Sequence, residues 1–172
     1  PAGPRLDRSA VTRARVEADR LVRAYQYQEA ARLLAATVTR ATGSLPPTDP
    51  EMIGLRMTLA DVLLQSSNFR QAGPVFGELA AYLAELEGPG SERALRCRLE
   101  EATCYALAGE ADRALDLMES LLRDREQVFG ADDSGALELR RQIGLLQLGS
   151  GRRAAARATL AALESDLLRL HG

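Results

Sequence analysis

A period of 42 residues runs through this chain and restricts it to repeat architectures. Four short turn segments each end in an alanine, and these alanines are Ala30, Ala72, Ala114 and Ala156. Each lies 42 residues after the previous one, without a gap. A fixed period of this length is typical of folds in which one supersecondary unit is stacked several times along the chain.

Further sets of positions keep the same spacing. Small residues precede the alanines, large apolar residues follow them, N-cap residues open the units and glycines close them. In that order they are Ala18, Ala60, Ala102, Gly144; Leu34, Phe76, Met118, Leu160; Asp7, Asp49, Ser91, Asp133; and Gly88, Gly130, Gly172. Small residues let two helices approach closely, and N-caps bind the free N–H groups of a first turn. The unit is therefore predicted to be a helix-turn-helix in which the small residues are buried against each other.

Apolar residues between these positions recur with helical spacing. We expect first helices near 8–24, 50–66, 92–108 and 134–149, and second helices near 28–42, 70–87, 111–128 and 153–170. Pro74 then falls in the first turn or so of its helix, where a missing N–H costs least. The prediction is an all-α solenoid of four repeats and eight helices, without β-sheet. It forms one domain, 7–172, after an N-terminal tail, 1–6, with repeats 7–48, 49–90, 91–132 and 133–172.

The unit resembles the tetratricopeptide repeat (TPR), in the 42-residue variety found in kinesin light chains and many bacterial proteins. The small residues, the turn ending in alanine and the stretch 114–133 carry the resemblance. The aromatic residue typical of the turn is present at Tyr27 and Phe69 but is replaced at Ala111 and Arg153. The resemblance covers nearly the whole chain and implies a right-handed α-solenoid that binds other proteins.

Composition argues against nucleic-acid and membrane partners. The net charge is −2, without the basic excess that nucleic-acid binding usually shows. No apolar run approaches the roughly 18 residues needed to span a bilayer. All 22 basic residues are arginine, a bias typical of GC-rich genomes that favours a bacterial, actinobacterial source.

The chain lacks the residue patterns of an enzyme or a metal site. The single histidine is His171, so Cys97 and Cys104 lack the second histidine that a mixed cysteine and histidine metal site would need. No glycine-rich phosphate loop is present. Ser91 and Ser134 have no partner histidine for nucleophilic catalysis. We therefore expect a non-catalytic protein without cofactor or metal. Two buried thiols fit a reducing, cytoplasmic location.

In the geometry of the family that this chain resembles, the outer face of the first helices lines a concave groove. The groove candidates for partner binding are Arg15, Asp19, Met57, Asp61, Gln65, Glu100, Thr103, Arg141, Gln142 and Leu145. Because this set mixes both charges with two apolar residues, the expected partner is a protein or peptide of mixed charge. Ordinary solvated surface is the alternative for each position.

Arg56, Arg98 and Arg140 also repeat every 42 residues. On stacked first helices, their guanidinium groups would form a ladder with steps on the order of 10 Å, able to grip carboxylates or phosphates. Alternatively, each arginine faces a neighbouring helix and pairs with a nearby glutamate or aspartate. The sequence leaves both interpretations open.

The leading hypothesis is a scaffold domain that binds a protein or peptide on its concave face. One alternative is an intramolecular regulatory module of a larger signalling protein, and another is a sensor of a small ligand or signal peptide. In GC-rich bacteria, domains of the resembled family often follow serine/threonine kinases or transcription regulators. The resemblance therefore implies a parent of that kind.

The last predicted helix carries more apolar residues than one neighbour can cover, namely Leu160, Leu163, Leu167, Leu168 and Leu170. Solenoids normally finish with a polar cap, and none is visible in the sequence. We expect either that the array continues past Gly172 or that two chains bury these ends against each other as a symmetric homodimer.

Overall fold

The computed structural model describes residues 7–172, and this part of the chain consists of helices and turns, without strands. Its eight helices are α1 (Arg8–Arg23), α2 (Tyr27–Ala41), α3 (Pro50–Gln65), α4 (Phe69–Glu87), α5 (Glu92–Leu107), α6 (Ala111–Phe129), α7 (Ser134–Gly149) and α8 (Arg153–His171). They confirm the eight predicted helices. None of these helices combines the length and the apolar character needed to cross a bilayer. The predicted tail, 1–6, lies outside the described residues.

The chain divides into two compact units, one ending at Cys97 and the other running from Arg98 to Gly172. In the first unit α1 packs on α2, α2 on α3 and α3 on α4, and α1 also contacts α3. In the second unit α6 packs on α7 and α7 on α8. The boundary falls within α5, and both the single domain 7–172 and the four repeat limits stay predictions.

The four predicted N-caps all form their hydrogen bonds. Each side chain accepts a bond from a backbone N–H two or three residues further on, at 2.8–3.1 Å: Asp7 from Ala10, Asp49 from Glu51, Ser91 from Ala94, and Asp133 from Ala136. These bonds satisfy donors that the first turn of a helix leaves unpaired. The start of each first helix is therefore fixed locally by its own sequence.

The turn inside each helix pair is built in the same way four times. One residue takes a left-handed backbone, with φ of 59° at Tyr25, 56° at Ser67, 87° at Gly109 and 81° at Gly151. The next residue then donates its N–H to the carbonyl five positions earlier at 2.8–2.9 Å, as Gln26 does to Leu21 and Glu110 to Tyr105. This is the Schellman end of a helix. Glycine adopts it without steric cost, whereas tyrosine and serine are strained there.

Helices α4 and α6 end at glycines, as predicted, and both glycines have an extended backbone at positive φ. Gly88 has φ 97° and ψ 152°, and Gly130 has φ 90° and ψ 163°. This extended region at positive φ is open essentially only to glycine. The helix therefore stops at once, and the chain leaves in an extended direction toward the next N-cap.

The expectation for Pro74 was wrong. The turn fixes the start of α4 at Phe69, so Pro74 is the sixth helical residue and lies inside the helix. Its missing N–H leaves one carbonyl of the first turn without its helical partner. The proline ring is exposed to solvent, and α4 continues through it to Glu87.

The small residues of the repeat are buried, as predicted. Seven alanines are at most 1% exposed, namely Ala18, Ala30, Ala60, Ala72, Ala102, Ala114 and Ala156. Gly144, the one departure from alanine, is also buried. An ideal Cβ at Gly144 would lie 2.6 Å from Cδ2 of Leu160. Leu160 therefore occupies the space that an alanine methyl group would fill at Gly144.

We predict that Gly109→Ala lowers the free energy of unfolding by about 1 kcal/mol, because alanine is strained in the left-handed backbone at that position. Thermal or urea unfolding measures the change. The matched control is Gly149→Ala, at the last residue of α7, where φ is not positive and no neighbouring atom lies within 4 Å of an added Cβ. Gly149→Ala should leave stability unchanged or raise it. Equal losses in the two variants would contradict the backbone argument.

Candidate partner-binding groove

A cavity of about 380 Å³ lies in the first unit, lined by α1, α3, the end of α4 and the start of α5. We call it the α3 groove, because most of its wall comes from that helix. Its lining residues are Arg15, Pro50, Ile53, Gly54, Met57, Thr58, Asp61, Leu86 and Arg93. The volume is within the range of ligand-binding clefts, which begins at about 300 Å³.

Helical periodicity places the α3 residues of the groove together. Pro50, Ile53, Met57 and Asp61 are three or four positions apart and so share one face of the helix. Gly54 lies on the same face, where Nη1 of Arg15 is 2.9 Å from the position of an ideal Cβ. The absence of a side chain at Gly54 therefore lets the Arg15 guanidinium lie against α3.

The charges in the groove are unevenly matched. Arg93 forms an ion pair with Glu87, and Arg15 lies 3.9 Å from a carboxylate oxygen of Glu51. Asp61 has no hydrogen bond or ion pair with residues 7–172, and burial raises the pKa of its carboxyl group. The unmatched charge of the described groove is therefore negative.

The structure brings three of the sequence candidates in the first unit together. Arg15, Met57 and Asp61 all line the α3 groove. Asp19 and Gln65, on the same two helices, are exposed and do not line it. Within the first unit, therefore, three of the five predicted groove residues line one cavity.

The other five candidates lie in the second unit. Glu100 and Thr103 are half-buried on α5, and Leu145 is 46% exposed on α7. Arg141 and Gln142 both donate hydrogen bonds to Glu138, at 2.8–3.0 Å. These bonds lower the pKa of Glu138 to about 2. Arg141 and Gln142 are thus engaged with their own helix.

Sequence reasoning missed six lining residues: Pro50, Ile53, Gly54, Thr58, Leu86 and Arg93. The first four could have been found from one helix face, because Ile53, Gly54 and Thr58 are three or four positions from Met57 or Asp61, and Pro50 is three positions from Ile53. Leu86 and Arg93 could not. They come from the end of one helix and the start of the next, and only the tertiary structure brings them to the groove.

The repeating arginine of the first unit is buried between two helices. Arg56 is 4% exposed, its Nε lies 3.6 Å from a carboxylate oxygen of Glu78, and its guanidinium lies 4.9 Å from the ring centroid of Tyr82. Both partners are on α4. Nε and Nη1 of Arg56 are buried without a hydrogen-bond partner. Arg56 therefore faces the second helix of its own pair.

The two arginines of the second unit make corresponding contacts. Arg98 pairs with Asp124 at 2.7 Å, and Arg140 pairs with Asp166 at 2.9 Å and with Glu126 at 2.6 Å. Asp124 and Asp166 occupy the sequence position that Tyr82 holds in the earlier repeat. Each arginine thus contacts a neighbouring second helix, as in the local interpretation. A ligand-gripping ladder stays a prediction.

Within residues 7–172 no group of three histidine, cysteine, aspartate or glutamate side chains could hold a metal ion. Cys97 and Cys104 are buried. Burial, together with the negative charges of Glu100 and Glu101, raises the pKa of Cys104 to about 11. Its reactive thiolate form is therefore scarce at neutral pH.

Solved structures with helical repeats resemble this chain along nearly all of its length. A Podosopora anserina protein described as a kinesin light chain with nearly identical TPR-like repeats has a TM-score of 0.78 and 18% identity, covering 95% of this chain and 77% of that one. A second crystal structure under the same description gives a TM-score of 0.75 and 18% identity, covering 94% and 76%. This chain has a TPR-like fold. BtubC (BKLC) from P. vanneervenii is also similar, with a TM-score of 0.70 and 16% identity over 96% and 66%.

These likenesses confirm the predicted all-α solenoid of TPR-like helical repeats. At 16–18% identity the similarity is one of fold. No protein-family model and no curated protein sequence matches this chain.

We predict that Arg140→Gln lowers the free energy of unfolding by about 1–3 kcal/mol, because it leaves half-buried Glu126 without its cation and Asp166 with only the more distant Arg169, at 3.4 Å. Arg141→Gln is the matched control, since Arg141 is exposed and pairs only three residues back with Glu138 among the described residues. Its loss should cost at most about 0.5 kcal/mol. Denaturant unfolding of both variants measures the two losses of stability. Equal costs would show that the Arg140 contacts do not hold α7 to its neighbours.

Proposed function

We propose that this chain is a non-catalytic scaffold domain that binds a protein or peptide segment through the outer face of its first helices. The observation that carries the proposal is the α3 groove, where Arg15, Met57 and Asp61 meet. The likeness to TPR-like repeat structures supports it, because stacked helix pairs present extended binding faces.

The make-up of the groove suits a segment of polypeptide. Ile53, Met57 and Leu86 offer apolar surface for a side chain, while Arg15 and Asp61 stand beside them with opposite charges. Binding sites combine apolar walls with a few placed polar groups that fix orientation. The α3 groove has that combination, and the partner can be a separate protein or a region of the same parent polypeptide, as in a regulatory module of a bacterial signalling protein.

A small ligand or signal peptide is the second candidate, favoured by the groove volume of about 380 Å³. A compound that occupies the groove should raise the melting temperature of the chain in proportion to the logarithm of its concentration. A polypeptide partner remains the better match, because the groove extends over parts of four helices rather than closing around a small molecule.

We also propose that α8 forms a homodimer contact. Leu163 is 6% exposed and lies in the core, which corrects the expectation that the whole leucine set lacks cover. Leu167, Leu168 and Leu170 remain 38%, 66% and 38% exposed. Exposed apolar surface of this kind usually marks an interface, and a second copy would cover it symmetrically.

For the groove, we predict that Met57→Arg abolishes peptide binding by filling the apolar wall with a charged side chain. Random linear peptides displayed on phage are selected on the wild-type chain, and the enriched peptides are titrated against both proteins. Val16→Arg is the matched control, because Val16 is 65% exposed on α1 and does not line the groove. Peptides that bind all three proteins equally would contradict the proposed site.

For the dimer, light scattering of the wild-type chain should give twice the monomer mass, and Leu168→Glu should return it to the monomer mass. Leu107→Glu is the control, since Leu107 is 58% exposed on α5. This variant should keep the dimer mass. A wild-type chain that stays monomeric at every concentration rules the dimer out.

A further inference from the structure

Asp61 is the one charged residue of the described α3 groove that no charge within residues 7–172 matches. Arg93 is held by Glu87, and Arg15 lies 3.9 Å from Glu51. Asp61 forms neither an ion pair nor a hydrogen bond with the described part of the chain. A ligand acid would have to compete for guanidinium groups that already have acidic partners, whereas a ligand base would meet an unmatched carboxylate.

Binding would increase the preference of the groove for a basic ligand over an acidic one. A segment lying on Met57 and Leu86 would exclude water from the groove, and a carboxylate that loses water without gaining a cation is destabilised. Asp61 is exposed to solvent in the chain alone, and the protein atoms around it already raise the pKa of its carboxyl group. A cation on the ligand would offset that loss, whereas a ligand carboxylate near Asp61 would add like-charge repulsion.

We propose that Asp61 makes the α3 groove selective for a segment that carries a lysine or arginine side chain beside an aliphatic one. The aliphatic side chain packs on Ile53, Met57 and Leu86, and the ammonium or guanidinium group pairs with Asp61. The inference rests on the proposed function, since it names the chemistry of the partner that the groove binds.

The repeat itself supplies a matched control for Asp61. Asp19 stands 42 residues earlier, at the equivalent position of the first repeat. Asp19 is exposed, as Asp61 is, but it does not line the groove. The later equivalents are Thr103 and Leu145, which carry no charge. Changing Asp19 therefore removes the same charge from the same helical position without touching the groove.

The test is to select random linear peptides displayed on phage in parallel on the wild-type chain, Asp61→Asn and Asp19→Asn. Sequences enriched on the wild-type chain and on Asp19→Asn should carry lysine or arginine beside an aliphatic residue. On Asp61→Asn the aliphatic preference should remain and the basic residue should disappear. A labelled synthetic copy of the commonest wild-type peptide should bind Asp61→Asn about ten-fold more weakly or worse, measured by fluorescence anisotropy.

Two results would overturn the selectivity and leave the scaffold function in place. They are enriched peptides that lack basic residues, and basic peptides that Asp61→Asn binds as tightly as the wild-type chain does. In either case the peptides would still depend on Met57. Failure to enrich any peptide on all three chains would contradict both the selectivity and the proposed function. Circular dichroism and thermal melting confirm that each variant is folded before selection.

Discussion

The close approach of paired helices over buried small residues is the constraint on which the rest of this structure depends. Ala60 and Ala72 are fully buried, as are their equivalents in the other repeats, so the helices can pack without large side chains between them. Gly144 shows how tight this packing is, because an added Cβ would lie 2.6 Å from Cδ2 of Leu160 and that side chain would have to move. Once the two helices of a pair are packed, the outer face of each first helix remains available for contact with a partner.

The turn that joins each pair places a second demand on the chain. The backbone needs a left-handed residue at the same point in every repeat, and the chain meets that need with glycine at Gly109 and Gly151 but with tyrosine and serine at Tyr25 and Ser67. Because the hydrogen bonds are the same in all four turns, the geometry is set by packing and closure rather than by the residue at that point. The strain at Tyr25 and Ser67 is tolerated, since the surrounding helices hold the turn in place.

The charged residues separate into two groups once their neighbours are known. Arg56 and Arg140 repeat in register but contact acidic or aromatic side chains of adjacent second helices. Asp61 lies in the groove without a described partner. Periodicity made the arginines conspicuous in the sequence, yet the unmatched aspartate carries the stronger indication of a ligand. A charge that is already neutralised has little to offer a partner, whereas an unpaired carboxylate in the wall of a groove can gain an ion pair on binding.

Much of the fold could be predicted from the sequence, and part of the groove could be. The helices, their N-caps and the burial of the alanine positions are decided by local preferences and by a period that recurs four times, so they can be read from residues near each other in the chain. Arg15, Met57 and Asp61 were predicted from the groove geometry of the family that this chain resembles. The presence of Leu86 and Arg93 in the groove and the partners of each arginine depended on where whole helices come to lie. Those positions follow from the sum of many weak packing contacts between distant segments, which no local pattern in the sequence displays.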